Sequence, residues 1–200
     1  MKILMTGFDP FGNEPVNPAW EAVKLVKAPE GMDLVKLEIP TVFGVSGDLV
    51  EEAILKDLPD AVLCIGQAGG RSAVTVERAA INIMDAGIPD NRGFQPADLP
   101  VVEGGENAYF ATVPVKEIIA SVNAAHIPCQ ISNSAGTFVC NALLYRVLHF
   151  LKVGNLPVKA GFIHVPFLPG QAEKHPGSPS LPLSSMVTAL EAALNALQNP

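Results

Sequence analysis

The chain has 200 residues, of which 48% are hydrophobic and 16% are charged, and 13 basic against 20 acidic side chains give a net charge of −7. This length and apolar content predict one domain, spanning residues 1–200, with a large buried core. The acidic balance argues against nucleic acid or an anionic membrane surface as the main partner.

Short apolar runs alternate with helical patterns along the chain. Strands are predicted at residues 2–6, 34–39, 61–65, 74–83, 128–132 and 160–165. Helices are predicted from Asn17-Pro18 to about 28, over 45–56 and 113–125, from the stretch after 132 to about 152, and over 183–197. This order predicts an α/β fold: a single-domain three-layer α/β/α sandwich with a mostly parallel central sheet. The segments 87–112 and 168–182 have no regular pattern. Such segments are binding loops, lids or oligomer contacts, or else plain surface loops.

The chain has three cysteines, Cys64, Cys129 and Cys140. Their odd number and irregular spacing do not fit a disulfide framework or a zinc site. The apolar start MKILMTGF is too short for a signal peptide, and no apolar run approaches the ~20 residues that cross a bilayer. A cytoplasmic protein without a membrane partner or a metal is therefore expected, with Cys64 as plain core of a buried strand.

Cys140 stands at the start of a predicted helix, in SNSAGTFVCNALLYRVLHF. The unpaired N–H groups of a helix N-terminus favour an anion, so they could lower the pKa of a nucleophilic thiol and stabilise an oxyanion. The alternative is a small buried residue in the first turn of a core helix, since free cysteine is often buried. The stretch taken alone favours this alternative.

His164 and Glu77 are candidate partners for Cys140. His164 lies near the carboxyl end of a predicted strand, where catalytic groups gather in open α/β sheets, but a core histidine fits equally well. Glu77 lies in the apolar stretch AVTVERAAIN, where a carboxylate is costly unless it is paired, and it could orient a histidine base. Arg78 would point to the opposite face of a regular strand. An edge strand with two solvated charges is the alternative.

Two further stretches bear on ligand binding. TGFDPFGN places Phe8 and Phe11 at a strand-end turn, either as walls for a flat, weakly polar ligand or as packing under the first helix. GQAGGRSAV matches neither GxGxxG nor a P-loop, and a strand pattern rather than a helix follows it. Nucleotide binding is therefore not expected.

Together these segments resemble the pyroglutamyl peptidase type I family, also called pyrrolidone-carboxylate peptidase. The resemblance covers nearly the whole chain. It rests on TGFDPFG (6–12), IGQAGGR (65–71), VERAAIN (76–82), IPDN (88–91), SAGTFVCN (134–141) and GFIHVPFLP (161–169).

The resemblance implies a thiol exopeptidase that removes N-terminal pyroglutamate (5-oxoproline) from peptides. It assigns Cys140 as nucleophile, His164 as general base and acid, and Glu77 as the group that orients the imidazole. It also implies homo-oligomers, commonly tetramers, a cytoplasmic location and no cofactor. For substrate binding it implies a pocket lined by Phe8, Phe11 and Phe138, with Gln67 as the hydrogen-bonding group for the lactam.

The chemistry of 5-oxoproline suits such a pocket. The ring is a compact lactam without an ammonium group, so it needs apolar walls plus one donor and one acceptor. The Gln67 amide offers both. A site built on these hydrogen bonds should reject proline, which lacks the lactam carbonyl.

Two positions depart from the family pattern. Asn13 stands where relatives carry a second glycine, and Gly87 stands where many carry an arginine before IPDN. Two other functions stay open at this point: another thiol amidase or deglycase on the same scaffold, and a non-catalytic binding module whose Cys140 alkylates slowly.

Overall fold

The structure is a computed structural model, and it describes residues 1–198. The strands are β1 (Lys2–Phe8), β2 (Asp33–Ile39), β3 (Ala61–Gln67), β4 (Val74–Glu77), β5 (Ala79–Ile81), β6 (Ala108–Phe110), β7 (Cys129–Ser132) and β8 (Lys159–Val165). The helices are α1 (Pro18–Leu25), α2 (Val45–Asp57), α3 (Val115–Ala124), α4 (Val139–Val153), α5 (Pro169–Ala172) and α6 (Leu183–Gln198).

Six of the strands form one central sheet in the order β2-β1-β3-β8-β4-β7. The first four are mutually parallel, β4 runs antiparallel to β8, and β7 is parallel to β4. Strands β5 and β6 form a separate antiparallel pair. The predicted α/β class with a mostly parallel sheet is confirmed, and the reversal occurs between β8 and β4.

Helices cover both faces of the sheet. On one face α1, α3 and α6 pack together, with Val23, Ile118 and Leu190 in their shared core. On the other face α2 and α4 pack together over a second core that includes Val50 and Leu143. Alternate residues of the central strands enter the two cores, as a strand buried on both faces requires.

The stretch predicted as one strand over 74–83 is two strands in two sheets. Arg78, between them, is exposed. Its N–H donates to Ser132 O of β7 (2.7 Å), and its carbonyl accepts from Ala111 N (2.9 Å). The chain thus leaves the main sheet at Arg78. The edge-strand alternative is wrong for Glu77, whose side chain is fully buried.

The helix ends follow local chemistry. Asn17 caps α1, since its Oδ1 accepts from Ala19 N (3.1 Å), and Pro18 occupies the first turn. The sequence predicts that this helix extends to about residue 28, but it ends at Leu25, about one turn earlier. Residue 28 precedes a proline, and the residue before a proline is disfavoured in a helix. Within residues 1–198, no helix has both the length and the apolar character needed to cross a membrane.

Candidate active site

Cys140 is the second residue of α4, and its sulfur lies against the central sheet. A Cβ placed on Gly66 of β3 would lie 3.1 Å from Cys140 Sγ. Gly66 is the register partner of His164 on β8. The absence of a side chain at Gly66 therefore makes room for the thiol beside His164. Gly136, with φ +79°, supplies the left-handed turn before the helix.

His164 and Glu77 form a buried pair on the same face of the sheet. His164 Nδ1 lies 2.7 Å from Glu77 Oε1, and the two residues are 3% and 0% exposed. The Phe162 ring packs beside the imidazole, with 4.7 Å between the centroids. The contact between Nδ1 and Glu77 orients the imidazole and leaves its Nε2 for other partners. The structure thus brings Cys140, His164 and Glu77 to one place.

Arg71 also contacts Glu77, and sequence reasoning missed it. Its Nη1 lies 2.6 Å from Glu77 Oε1, the oxygen that contacts His164, and also contacts Thr75 Oγ1. Its Nη2 donates to Ser134 O (3.3 Å), in the loop before α4. The available signal was the cost of a buried carboxylate, which predicts a cation nearby.

Burial controls the protonation of the site. It raises the pKa of the Cys140 thiol to about 12, an effect that Glu77 reinforces and Arg71 opposes. It also lowers the pKa of His164 below 6.5, although Glu77 acts to raise it. For Glu77, burial acts to raise the pKa, but hydrogen bonds led by that from His164 bring it below 4.5. At neutral pH the site holds a neutral thiol, a neutral imidazole and a carboxylate. The expected lowering of the thiol pKa at the helix N-terminus is not found, because desolvation outweighs it.

An aromatic cluster lies beside α4. The Phe138 ring is 6.1 Å from Phe11 and 5.3 Å from Phe43, and Phe43 is 5.9 Å from Phe94. Phe43 and Phe94 were not predicted from the sequence. Phe8 lies apart from this cluster in the core, with its ring 6.3 Å from Phe162. Of the three predicted pocket phenylalanines, the structure brings Phe11 and Phe138 together.

The IPDN motif ties the loops of this cluster to one another. Asp90 Oδ2 accepts from Phe43 N (3.0 Å), and its Oδ1 accepts from Phe94 N (2.9 Å). Asn91 Nδ2 donates to Asp9 Oδ1 (3.0 Å) in the turn that carries Phe11. Three separate loops are therefore fixed by two adjacent side chains. A cleft of about 520 Å³ lies between this motif and the turn.

Gln67 lies at the end of β3 and is held by the segment 168–182. The buried Gln171 donates from Nε2 to Gln67 Oε1 (3.0 Å) and to Glu14 Oε2 (3.3 Å). Its own Oε1 accepts from Leu168 N (3.0 Å), and Glu14 also contacts His175 Nε2 at 2.8 Å. These bonds fix the orientation of the Gln67 amide.

The two departures from the family pattern are accommodated without a clash. Asn13 has φ +65° and follows Gly12, with φ +63°, in a turn closed by Glu14 N donating to Phe11 O (3.1 Å). Asparagine tolerates this left-handed conformation better than most residues. A Cβ at Gly87 would meet no atom within 4 Å, so a side chain would fit there. No group of three or more His, Cys, Asp or Glu side chains in residues 1–198 could hold a metal ion.

Comparisons with known proteins agree over the whole chain. The sequence model of the family described as pyroglutamyl peptidase matches residues 1–199. The chain is 51% identical to pyrrolidone-carboxylate peptidase 1 of Caldanaerobacter subterraneus subsp. tengcongensis, over 98% of each chain. It is 50% identical to the pyrrolidone-carboxylate peptidase of Thermococcus kodakarensis, over 97% of this chain and 94% of that one.

Solved structures give the same result. The pyroglutamyl peptidase I of Bacillus amyloliquefaciens superposes with a TM-score of 0.96 at 44% identity, over 100% of this chain and 95% of that chain. A mutant pyrrolidone carboxyl peptidase of Pyrococcus furiosus superposes with a TM-score of 0.93 at 37% identity, over 99% of this chain and 98% of that chain. The chain therefore belongs to the pyroglutamyl peptidase family and is a cysteine peptidase.

Proposed function

We propose that this enzyme removes N-terminal pyroglutamate from peptides, with Cys140 as nucleophile, His164 as general base and acid, and Glu77 as the orienting carboxylate. The observation that carries the proposal is the buried 2.7 Å contact between His164 and Glu77, with Cys140 Sγ over Gly66, the register partner of His164. Nucleophile, base and orienting group are the parts that such catalysis requires.

The proposed reaction has two halves. Cys140 Sγ attacks the carbonyl carbon of the pyroglutamyl residue while its proton passes to His164. The imidazolium then donates this proton to the leaving amine, and a thioacyl-enzyme remains. Water attacks the thioacyl carbonyl, His164 takes the proton of the water and returns it to the departing thiolate, and free pyroglutamate leaves. Glu77 stabilises the imidazolium that forms in each half.

The proposed pocket has walls of aromatic side chains and one side-chain amide. Phe11 and Phe138 would enclose the lactam ring, and Gln67 would hydrogen-bond the lactam. Phe8 would support the site from the core, since its ring packs on Phe162, which packs on His164. The Phe43 ring packs edge-on against Phe138 and extends the wall. A site closed around the ring leaves no room for a preceding residue, which would make the enzyme an exopeptidase.

Activity assays on the Cys140→Ser variant test this proposal. A fluorogenic pyroglutamyl amide should be cleaved by the wild type, while prolyl and alanyl amides should not. Cys140→Ser and iodoacetamide treatment should each abolish cleavage, and Cys129→Ser is the control because Cys129 packs in the core on the other face of the sheet. Full activity in Cys140→Ala would overturn the proposal. Retained thiol reactivity without pyroglutamyl cleavage would indicate a different thiol amidase.

The pH–rate profile tests the role of His164. We expect the rate to fall on the acid side as the Cys140/His164 pair takes up a proton, with an apparent pKa that belongs to the pair. Measured kcat/KM against pH should show this limb in the wild type. A His164→Ala variant with full activity and the same profile would contradict the assignment.

We also propose a homotetramer and a cytoplasmic location. The apolar side chains of Leu58, Phe110 and Val153 are 75%, 73% and 72% exposed. Leu58 and Phe110 line neighbouring grooves that share Leu156 and Val158, and such a continuous apolar surface supports self-association. Light scattering at micromolar concentration tests the subunit number, and a monomer would overturn it. Fractionation of the producing cells tests the location.

A further inference from the structure

We propose that Arg71 is a positioning residue for the proposed triad: one guanidinium holds the Glu77 carboxylate against His164 and ties it to the loop that precedes Cys140. This inference rests on the proposed function, because it assigns Arg71 a role in the same site. It goes further by adding a fourth member that joins the carboxylate to the nucleophile loop.

The contacts of Arg71 run in two directions. On one side Nη1 lies 2.6 Å from Glu77 Oε1, the same oxygen that lies 2.7 Å from His164 Nδ1. On the other side Nη2 donates to Ser134 O, six residues before Cys140. A planar guanidinium can serve both partners at once, whereas an ammonium group presents a single point charge.

Glu77 needs this partner. Its side chain is fully buried, and its second oxygen, Oε2, has no hydrogen-bond partner among the described residues. A buried carboxylate whose partner is a neutral imidazole would otherwise be costly to keep ionised. Arg71 supplies the compensating charge without contacting the imidazole, so His164 stays free to accept a proton.

Arg71 also acts on the proton affinity of the site, in addition to the larger effect of burial. The charged and titratable groups that act on His164 and Cys140 are Glu77, Arg71 and Cys64. Burial keeps Cys64 neutral, since it raises the pKa of that thiol to about 12. Arg71 is therefore the one cation of this set. Since Arg71 acts to lower the pKa of both His164 and Cys140, its removal should raise both pKa values. The acid limb of the rate should therefore move to higher pH.

The experiment compares Arg71→Met, Arg71→Lys and the control Arg78→Met. Arg78 carries the same charge seven residues later but is exposed. We expect Arg71→Met to lower kcat on a pyroglutamyl amide by roughly 10- to 100-fold, as loss of an outer orienting group does elsewhere, with little change in KM. Arg71→Lys should fall between this variant and the wild type. Arg78→Met should match the wild type.

Three readouts separate positioning from a merely structural role. In Arg71→Met the acid limb of the rate should shift to higher pH. The pH dependence of Cys140 alkylation by iodoacetamide should shift in the same direction. Millimolar methylguanidine should restore part of kcat. Full activity with an unshifted profile would overturn the proposal. Lost activity with an unshifted alkylation limb and no methylguanidine recovery would also overturn it.

The same measurements distinguish failure of the proposed function. If the wild type does not cleave pyroglutamyl amides, the function fails, while the alkylation limb still reports whether Arg71 acts on Cys140. If the wild type cleaves them and the Arg71 variants behave like the Arg78 control, only the role of Arg71 fails. Thermal melting of each variant checks that it is folded.

Discussion

The surroundings of Cys140 keep its thiol protonated, and this bears on the proposed mechanism. Burial raises the pKa of both Cys140 and Cys64 to about 12. The two differ in their neighbours, because Cys140 Sγ lies over Gly66, the register partner of His164, whereas Cys64 lies inside the core. In the proposed mechanism the proton of Cys140 would therefore pass to His164 as the thiol attacks.

Asn13 should stabilise its turn nearly as well as glycine does. Its φ of +65° disfavours residues with a Cβ, and asparagine is among the least affected. We expect Asn13→Gly to change the free energy of unfolding by less than about 0.5 kcal/mol and Asn13→Ala to lower it by about 1 kcal/mol. Urea unfolding measures both.

Asn107→Ala is the matched control, since Asn107 is exposed and is not among the residues with positive φ. It should leave stability unchanged. An Asn13→Ala variant as stable as the wild type would show that the turn carries no strain.

Helix α4 supports the site through its first turn. Cys140 faces the sheet, and the next residue, Asn141, accepts from Ile81 N (3.0 Å) and donates to Ile81 O (2.9 Å) and Ile83 O (3.1 Å). This side chain completes hydrogen bonds of β5, so the start of α4 that carries Cys140 and the small sheet are fixed together. The rest of the helix buries Leu143 and its apolar neighbours in the core.

Gly66 on β3 should be intolerant of any side chain. A Cβ there would lie 2.7 Å from the Phe162 ring and 3.1 Å from Cys140 Sγ, so Gly66→Ala should displace the thiol. A displacement of about 1 Å at a reacting atom can cost on the order of 100-fold in rate. We expect a loss of kcat/KM of that size, measured on a pyroglutamyl amide.

Gly161→Ala separates this effect from lost stability. Its Cβ would lie 2.3 Å from Val113 Cγ2, on the opposite face of the sheet from Cys140. Both variants should melt at lower temperature, but Gly161→Ala should keep its kcat/KM where it is folded. Equal activity losses in the two would show that Gly66 acts only through stability.

The whole molecule should lose stability in acid because of the buried pair. The pKa of His164 is lowered by burial, so on unfolding below pH 6.5 this side chain takes up a proton that the folded state does not hold. The stability it contributes is present above pH 6.5 and is lost as the pH falls below it. Glu77, whose folded pKa is also lowered, adds a second loss as the pH falls below 4.5.

Urea unfolding between pH 7.5 and 4 measures this dependence. The free energy of unfolding should begin to fall near pH 6.5 in the wild type. The fall between pH 6.5 and 5 should be shallower in His164→Gln, which has no imidazole to protonate. An equal slope in the two proteins would contradict the prediction.

The sequence by itself determined the layers of the fold and indicated Cys140, His164 and Glu77 as candidates for the site. Apolar runs of strand length alternating with amphipathic helices leave few arrangements other than a covered, mostly parallel sheet. Cys140, His164 and Glu77 could be selected because a strand-end histidine, a helix-start cysteine and a carboxylate in an apolar strand each carry a local chemical signal. Their assignment as a group depended on the resemblance to a family.

Only the tertiary structure decided the features that depend on distant contacts. The break at Arg78 follows from backbone bonds to Ser132 of β7 and to Ala111, the residue after β6, and no local pattern contains these bonds. The pairing of Arg71 with Glu77, and the packing of Phe43 on Phe138, depend on how loops far apart in the chain meet. The raised pKa of Cys140 depends on burial, and burial is a property of the folded chain rather than of a residue's neighbours in sequence.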